Sequence, residues 1–191
     1  MPNLVKKSVR NIIVPMAGLG IRFKKNNFWT LKPLIKVDHQ CILEKSISKL
    51  PHSSNKLIIL KSKLYEKYSN LKKLIKKNGF KSLLLENNTL GQADTCHKAE
   101  KLINSNQDVL IHSCDYILRF STKKFFDLKK NCDVIIFTYK LKSRVVKNYS
   151  DFAYCSFNKE KAVKKIVEKK TISNDPANDQ MIVGTFWFKK S

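Results

Sequence analysis

Residues 12–23 read Ile-Ile-Val-Pro-Met-Ala-Gly-Leu-Gly-Ile-Arg-Phe, and residues 31–35 read Leu-Lys-Pro-Leu-Ile. The apolar start of the first run predicts a buried strand, and the two glycines that follow predict a loop. Because glycine has no Cβ, backbone N–H groups in such a loop can come close to an anion, and Arg22 and Lys32 add positive charge. The stretch from Pro15 to Leu34 therefore predicts a loop that holds the phosphates of a nucleotide. An ordinary turn with two solvated cations is the alternative.

This loop differs from two common phosphate-binding motifs. It has neither the Gly-Lys-Ser/Thr ending of a P-loop nor the third glycine of a dinucleotide-binding turn. Both of those motifs are excluded.

Outward from this stretch, short apolar runs alternate with segments of helical period, which is the pattern of a mostly parallel sheet with helices on both faces. We predict strands near residues 11–16, 56–61, 82–86, 108–113 and 133–139. We predict helices near residues 42–50, 63–77, 92–104 and 122–129. The fold class is therefore α/β.

Beyond residue 148 the chain becomes richer in β-forming residues, in short runs separated by polar turns. We predict one domain over residues 1–191, with an α/β part over about 1–148 and a smaller β-rich part over about 149–191. The apolar run Phe186-Trp187-Phe188 is followed only by Lys189, Lys190 and Ser191. We therefore expect that a C-terminal portion is missing.

The formal net charge of +23 would suit a polyanionic partner. However, the lysines are spread over nearly every segment. Arginine, which is better suited to bidentate contact with phosphates and bases, occurs only at Arg10, Arg22, Arg119 and Arg144. We therefore interpret most lysines as solvated, and a nucleic-acid partner is not expected.

The remaining composition points to an ordinary protein of the reducing cytoplasm. The five cysteines are far apart and include no Cys-x-x-Cys pair, which argues against a zinc or redox site. No run approaches the roughly 20 apolar residues that a membrane span needs. The histidines have no spacing typical of a metal site or a catalytic triad, and we interpret all four as structural: His39, His52, His97 and His112.

The motifs, taken in order, resemble the sugar-phosphate nucleotidyltransferase family, whose members carry an Ala-Gly-x-Gly-x-Arg loop followed by Pro-Lys-x-Leu. The similarity covers about residues 11–189. Its later segments are Gly91-Gln92-Ala93-Asp94-Thr95, the strand and Asp over residues 109–115, Val167-Glu168-Lys169, and Gly184-Thr185-Phe186-Trp187-Phe188. The resemblance implies a Rossmann-like fold of the GT-A type, with the β-rich part on the acceptor side.

The resemblance also assigns roles near the phosphates. It makes Arg22 and Lys32 the catalytic cations on the triphosphate and Asp115 the Mg²⁺ ligand, and it implies backbone contacts to the nucleotide from Ala17, Gly18 and Gly20. An Asp directly after an apolar strand is also where open α/β sheets place ligand chemistry, and a carboxylate suits Mg²⁺. A helix cap or turn residue before Thr122 is the alternative for Asp115.

Five further positions are implied by the same resemblance. Glu86 would read the base edge of the nucleotide, with Gly91 letting the backbone pass close to it. Lys169 would bind the acceptor phosphate and Glu168 the sugar hydroxyls, and Gly184 would complete the acceptor-binding part. An exposed strand end is the alternative for Glu86, and a solvated sheet edge is the alternative for Glu168 and Lys169.

The sequence departs from the family in three ways. Leu31 replaces the usual Pro before Lys32, and Asp38-His39-Gln40 stands where the family has a glycine-containing turn, so we expect a differently shaped loop. The family also supplies a second metal-binding Asp downstream, whereas this sequence stops at Ser191. Either the sequence is a fragment, or a partner chain or the acceptor completes the site, or the protein binds nucleotide without turnover.

The function implied by the resemblance is transfer of a nucleoside monophosphate from an NTP to a sugar 1-phosphate or similar small phosphorylated acceptor, with Mg²⁺ and release of pyrophosphate. This reaction would serve activated-sugar or surface-polysaccharide biosynthesis, and a homo-oligomer is possible. The alternatives are a catalytically inactive nucleotide-binding module and, third, a basic nucleic-acid-binding protein. A glycosyltransferase ranks lower because Asp115-Tyr116-Ile117 is not an Asp-x-Asp motif.

Overall fold

The computed structural model describes residues 8–18, 31–140, 148–176 and 179–190. The chain divides into two compact units. The first comprises Met1–Ile135 with Phe186–Ser191, and the second comprises Ile136–Thr185. The domain boundary expected near residue 148 stays a prediction.

The first unit alternates strands and short helices along the chain. Its elements are β1 (Ser8–Met16), β2 (Lys36–Val37), β3 (Gln40–Cys41), α1 (Ile42–Ile47), β4 (His52–Lys61), α2 (Ser62–Lys67), α3 (Ser69–Lys77), β5 (Lys81–Leu85), α4 (Gln92–His97), β6 (Val109–Ile111) and α5 (Thr122–Leu128). Short 3-10 turns span Lys32–Leu34 and Glu100–Leu102.

The main sheet of the first unit is mostly parallel. Its strand order is β5-β4-β1-β6, followed by residues 186–188 of β10 (Gln180–Phe188). The first four strands pair in parallel, with Ile13 aligned to Leu57 on one side and to Ile111 on the other. β10 runs antiparallel to β6. This arrangement confirms the expected α/β class, and it gathers the carboxyl ends of the parallel strands at one edge of the sheet.

The core of this unit forms where the sheet is covered on both faces. Ile12, Ile13 and Val14 are almost wholly buried, as are residues 57–60 of β4. A continuous apolar run of this kind is typical of a central parallel strand, because both of its faces are packed. The apolar start of the opening stretch thus becomes the middle of the sheet.

Two predicted helices are shorter than the sequence pattern indicated. The helix expected over residues 63–77 is interrupted at Tyr68, whose ψ of 91° is extended rather than helical. After this break, α3 buries Leu71 and Ile75. The helix expected over residues 92–104 ends as α4 at His97 and continues as a 3-10 turn. The helical spacing of apolar residues therefore predicted where these helices lie, but not that each is broken or cut short.

The hairpin between β2 and β3 has a two-residue turn without glycine. Asp38 and His39 both have left-handed φ values, 48° and 68°, which is the pattern of a type I′ turn. Lys45 donates to the Asp38 carboxylate over 2.7 Å. The turn thus adopts a backbone that usually selects glycine or asparagine.

The second unit is built mainly from antiparallel strands. It contains most of β7 (Val134–Lys140), a 3-10 turn (Tyr149–Asp151), β8 (Ala153–Phe157), β9 (Val163–Glu168) and residues 180–185 of β10. β8 pairs with β9 and, through Cys155 and Tyr154, with the start of β10. Asp179 accepts hydrogen bonds from the backbone of Ile172 and Ser173 and so holds the loop before β10.

No helix within the described part of the chain has the length and apolar character that a membrane crossing needs.

Candidate functional site

Lys32 and Asp115 form an ion pair at the carboxyl edge of the main sheet. Lys32 begins a 3-10 turn in which Pro33 is buried, and proline suits such a position because its fixed φ matches the turn. Asp115 follows β6 by four residues. Lys32 Nζ lies 2.5 Å from Asp115 Oδ2, and the side chains are 36% and 30% exposed. Two residues that are 83 positions apart are therefore brought together where a ligand can reach them.

Ser113 holds the other oxygen of the same carboxylate. Its hydroxyl donates to Asp115 Oδ1 over 2.5 Å. Burial raises the pKa of Asp115, but the hydrogen bonds from Lys32 and Ser113 outweigh it, so that the pKa lies below its ordinary value. Asp115 is therefore ionised at neutral pH.

Ala17 and Gly18 directly follow β1 at the same sheet edge. A Cβ added to Gly18 would meet no described heavy atom within 4 Å, and its φ is outside the left-handed region. Neither packing against the described residues nor backbone conformation therefore requires glycine at this position, and close approach of a ligand is a sufficient reason for it. Gly20 and Arg22, the remaining loop residues expected in the site, lie outside the described residues.

A Mg²⁺ ion fits the residues at this edge only as a shared ligand. Among the described residues, no group of three or more His, Cys, Asp or Glu side chains could hold a metal by itself. Mg²⁺ commonly keeps several waters and binds through one or two carboxylates together with substrate phosphates. Asp115 would be the protein ligand, and a bound triphosphate would supply the others.

Glu86 follows β5, next to the end of β4. Its carboxylate accepts from the hydroxyl of Ser62 over 2.5 Å, and its backbone carbonyl accepts from Lys61 over 2.8 Å. Ser62 is buried, whereas Glu86 is exposed. The carboxylate is thus held at the sheet edge that carries Asp115, but in a hydrogen bond that the sequence did not indicate.

The turn at Gly91 leads into α4. Thr95 is buried and donates its hydroxyl to the Gly91 carbonyl over 2.8 Å. The Leu90 N–H donates to the Asp94 carboxylate over 2.9 Å, while the Leu90 side chain is fully exposed. The turn before α4 is therefore fixed by its own side chains and presents Gly91 on its outer side.

Glu168, Lys169 and Gly184 lie in the second unit. The Glu168 and Lys169 side chains are each 75% exposed and 3.4 Å apart. Lys169 has a left-handed φ of 57°, and Gly184 has a φ of 67°. A left-handed backbone is strained for lysine but not for glycine. Lys169 is therefore held in a conformation that its residue type does not favour.

Ser113 and Ser46, near Asp115, were not predicted as site residues, and His112 beside them was interpreted as structural. Ser113 contacts the carboxylate directly, and Ser46 of α1 lies 2.9 Å from the imidazole Nε2 of His112. Burial lowers the pKa of His112 to about 4, so the imidazole is neutral. The available signal was a serine within the apolar face of α1, because a polar side chain in a core position needs a partner.

The comparisons with known proteins identify one family. A family model described as nucleotidyl transferase matches residues 16–191. No curated protein matches the chain in sequence.

Several solved structures share the fold at low sequence identity. A nucleoside-diphosphate-sugar pyrophosphorylase from Vibrio cholerae has a TM-score of 0.69 at 18% identity, over 94% of this chain and 73% of that one. A UDP-glucose pyrophosphorylase complexed with UDP-glucose has a TM-score of 0.69 at 15% identity, over 95% of this chain and 76% of that one. The inositol-1-phosphate CTP transferase from T. maritima has a TM-score of 0.69 at 17% identity, over 95% of this chain and 71% of that one. At these identities the likeness concerns the fold.

Proposed function

Because the chain belongs to the nucleotidyl transferase family and is a nucleotidyltransferase enzyme, we propose that it joins a nucleoside monophosphate from an NTP to a sugar 1-phosphate or similar small phosphorylated acceptor. The observation that carries this proposal is the Lys32–Asp115 pair at the carboxyl edge of the sheet. One cation and one carboxylate, both accessible, are the groups needed to hold a triphosphate and its metal.

The proposed reaction is an in-line displacement at the α-phosphorus of the NTP. A phosphate oxygen of the acceptor forms the new bond to the α-phosphorus, and the bond from this phosphorus to the bridging oxygen of the β-phosphate breaks. Pyrophosphate leaves with that electron pair, and no covalent enzyme intermediate is needed. Catalysis then depends on positioning and on neutralising charge.

Lys32 supplies that neutralisation in our proposal. Its ammonium is held beside Asp115 and is about one-third exposed, so it can contact the β- and γ-phosphates as charge collects on the leaving group. Arg22, expected from the loop sequence, would act on the same phosphates. Mg²⁺ held by Asp115 would supply further charge neutralisation to the phosphates.

The nucleotide would lie on backbone at Ala17, Gly18, Gly20 and Gly91, with Glu86 at its base. The open space around Gly18 and Gly91 supports close approach of the backbone to a ligand, since an added Cβ meets no described heavy atom within 4 Å at either residue. The Ser62–Glu86 hydrogen bond would orient the Glu86 carboxylate.

The acceptor would bind through Glu168, Lys169 and Gly184. The strained backbone of Lys169 supports a role for this side chain, because strain of this kind is concentrated at functional sites. Acceptors worth testing follow from the names of the similar structures, which include a UDP-glucose pyrophosphorylase and an inositol-1-phosphate CTP transferase. We propose a cytoplasmic role in making activated sugars or surface polysaccharide.

The experiment is pyrophosphate release from each of the four NTPs in the presence of Mg²⁺. Glucose 1-phosphate, inositol 1-phosphate and phosphocholine serve as acceptors. The expected result is release that needs the NTP, one acceptor and Mg²⁺ together, and that disappears with EDTA or in Asp115→Asn.

A catalytically inactive nucleotide-binding module is the second candidate. It is favoured by the lack, among the described residues, of any group of three or more His, Cys, Asp or Glu side chains that could hold a metal. This alternative predicts that an NTP raises the melting temperature while no acceptor gives turnover. Such a result across the whole panel would replace the transferase proposal.

A further inference from the structure

Ser46, His112 and the carbonyl of Ser113 form a buried polar cluster below the Lys32–Asp115 pair. His112 and Ser46 are 0% and 1% exposed. Ser46 Oγ lies 2.9 Å from His112 Nε2 and donates to the Ser113 carbonyl over 3.0 Å. Buried polar groups are costly unless they are paired, so these contacts fix their geometry strongly.

The Ser46 hydroxyl connects the other two members of this cluster. A carbonyl can only accept, so Ser46 donates whenever it bonds to Ser113. When Ser46 donates to this carbonyl, the imidazole donates from Nε2 to Ser46 Oγ, and in the other tautomer Ser46 donates to Nε2. Ser46 is therefore paired with His112 in either tautomer.

The Ser46–His112–Ser113 cluster joins the two segments that carry the ion pair. Ser46 belongs to α1, and the Ile42 N–H at the start of α1 donates to the Ile35 carbonyl over 2.9 Å, directly after the Lys32 turn. On the other side, Ser113 is two residues before Asp115 and holds its Oδ1. The buried cluster thus connects the segment that carries Lys32 to the segment that carries Asp115.

We propose that Ser46 and His112 are positioning residues that set the placement of the Asp115 carboxylate relative to Lys32. The effect of this positioning on catalysis rests on the proposed transferase function. An apolar pair at these positions would fill the core equally well, but it would not fix the Ser113 carbonyl, and through it the turn that presents Asp115. Displacement of a catalytic group by about 1 Å can lower a rate by about 100-fold.

The first test examines the free protein and needs no activity. Hydrogen–deuterium exchange is measured in peptides covering residues 31–37 and 109–118 of wild type, Ser46→Ala and Ser48→Ala. Ser48 lies at the end of the same helix, and its exposed hydroxyl donates to the backbone carbonyl of Lys45, so Ser48→Ala is the matched control. We expect exchange at least about tenfold faster in both peptides for Ser46→Ala alone, since local opening sets the exchange rate. Unchanged exchange overturns the proposal.

The second test uses rescue at His112. Gln carries an amide donor and an amide acceptor that can take the place of Nε2 toward Ser46, whereas Leu carries neither. His112→Leu should lower kcat by about tenfold or more with a smaller change in the KM for NTP, and His112→Gln should recover most of this loss. Equal kcat values for the two variants, with both folded, would show a packing role and overturn the proposal.

The third test is a double-mutant cycle between Ser46→Ala and Lys32→Ala. If Ser46 acts by placing Asp115 against Lys32, its substitution has little further effect on kcat once Lys32 is absent. Equal fold-losses in both backgrounds overturn the positioning role. A wild type without turnover would refute the proposed reaction and leave the exchange measurement to decide on the cluster.

Discussion

Trp187 donates its indole N–H to the carboxylate of Asp108 over 2.9 Å. The same carboxylate accepts from Lys129, the residue after α5, over 2.5 Å, and the Lys129 ammonium lies 5.1 Å from the centroid of a Trp187 ring. The Arg10 N–H of β1 donates to the other carboxylate oxygen over 2.8 Å. One carboxylate thus ties β1, α5 and the end of β10 to the residue that precedes β6.

Asp108→Asn should destabilise the protein strongly. The Lys129 side chain is 15% exposed, so the substitution leaves a mostly buried ammonium without its carboxylate partner, at a cost of about 3–5 kcal/mol. Urea unfolding measures this loss. The control is Asp127→Asn, because Asp127 and Lys130 are 49% and 71% exposed and such pairs contribute about 0–1 kcal/mol. Equal losses for the two variants would contradict the assignment.

Lys32→Ala and Asp115→Asn should each abolish most of the proposed activity with little loss of stability. Removing one preorganised charge contact to a transition state commonly lowers kcat by about 100- to 1,000-fold. Lys36→Ala is the matched control, since Lys36 is an exposed lysine in β2 close along the chain. Pyrophosphate release gives the rates. Retention of more than a third of wild-type kcat in either variant would exclude that residue from catalysis.

Gly18→Ala should weaken nucleotide binding without destabilising the fold. The added Cβ meets no described heavy atom within 4 Å in the free protein, but it would meet a closely bound phosphate. Gly184→Ala should destabilise the fold without weakening nucleotide binding. The φ of Gly184 is 67°, and a left-handed backbone costs non-glycine residues about 1–2 kcal/mol. Thermal melting with and without NTP separates the two effects. Normal NTP-induced stabilisation of Gly18→Ala would remove Gly18 from the site.

Lys169→Ala and Lys169→Gly form a matched pair that separates function from strain. Both remove the ammonium, so both should raise the acceptor KM by about tenfold or more if Lys169 binds the acceptor phosphate. Gly should be at least as stable as Ala here, because it relieves the left-handed backbone at φ 57°. The control Lys170→Ala should leave the acceptor KM unchanged. An unchanged acceptor KM in both Lys169 variants as well would show that Lys169 belongs to a solvated sheet edge.

His112 should make the protein less stable in mild acid. Its ordinary pKa of 6.5 is lowered to about 4 in the folded state, so below pH 6.5 the unfolded chain takes up a proton that the native protein does not. Stability is therefore lost as the pH falls from 6.5 to about 4. At 1.36 kcal/mol per pKa unit, this loss amounts to about 3 kcal/mol. Urea unfolding at several pH values should show a flatter profile for His112→Gln, and identical profiles would contradict the neutral, buried state.

The main sheet could be predicted from the sequence because its strands are apolar runs with buried faces on both sides. β4 illustrates the limit. Its predicted start at residue 56 was wrong, since the strand begins at His52. The extra residues are polar and are held by contacts with β1: Ser53 donates to the Arg10 carbonyl, and Asn55 donates to the Asn11 side chain. The hydropathy pattern of the sequence does not indicate hydrogen bonds of this kind between polar side chains and a neighbouring strand.

The candidate site could be predicted only where residues near in sequence form a recognisable pattern. Lys32 and Asp115 each belong to a local motif, and the structure pairs them. Ser46 and His112 are 66 positions apart, and Ser46 stands in no motif, so their contact arises only once α1 is packed beside the end of β6. A buried polar cluster of this kind depends on tertiary packing and not on local spacing.

The burial of Trp187, which is 1% exposed, provides an optical signal for folding. A buried indole emits at shorter wavelength than one in water, so the emission of Trp187 should shift to the red when the first unit unfolds. The protein has only one other tryptophan, Trp29, in the segment between Arg22 and Lys32. In Trp187→Phe, all remaining indole fluorescence comes from that segment. This single variant therefore allows changes in the loop predicted to bind phosphate to be followed by intrinsic tryptophan fluorescence.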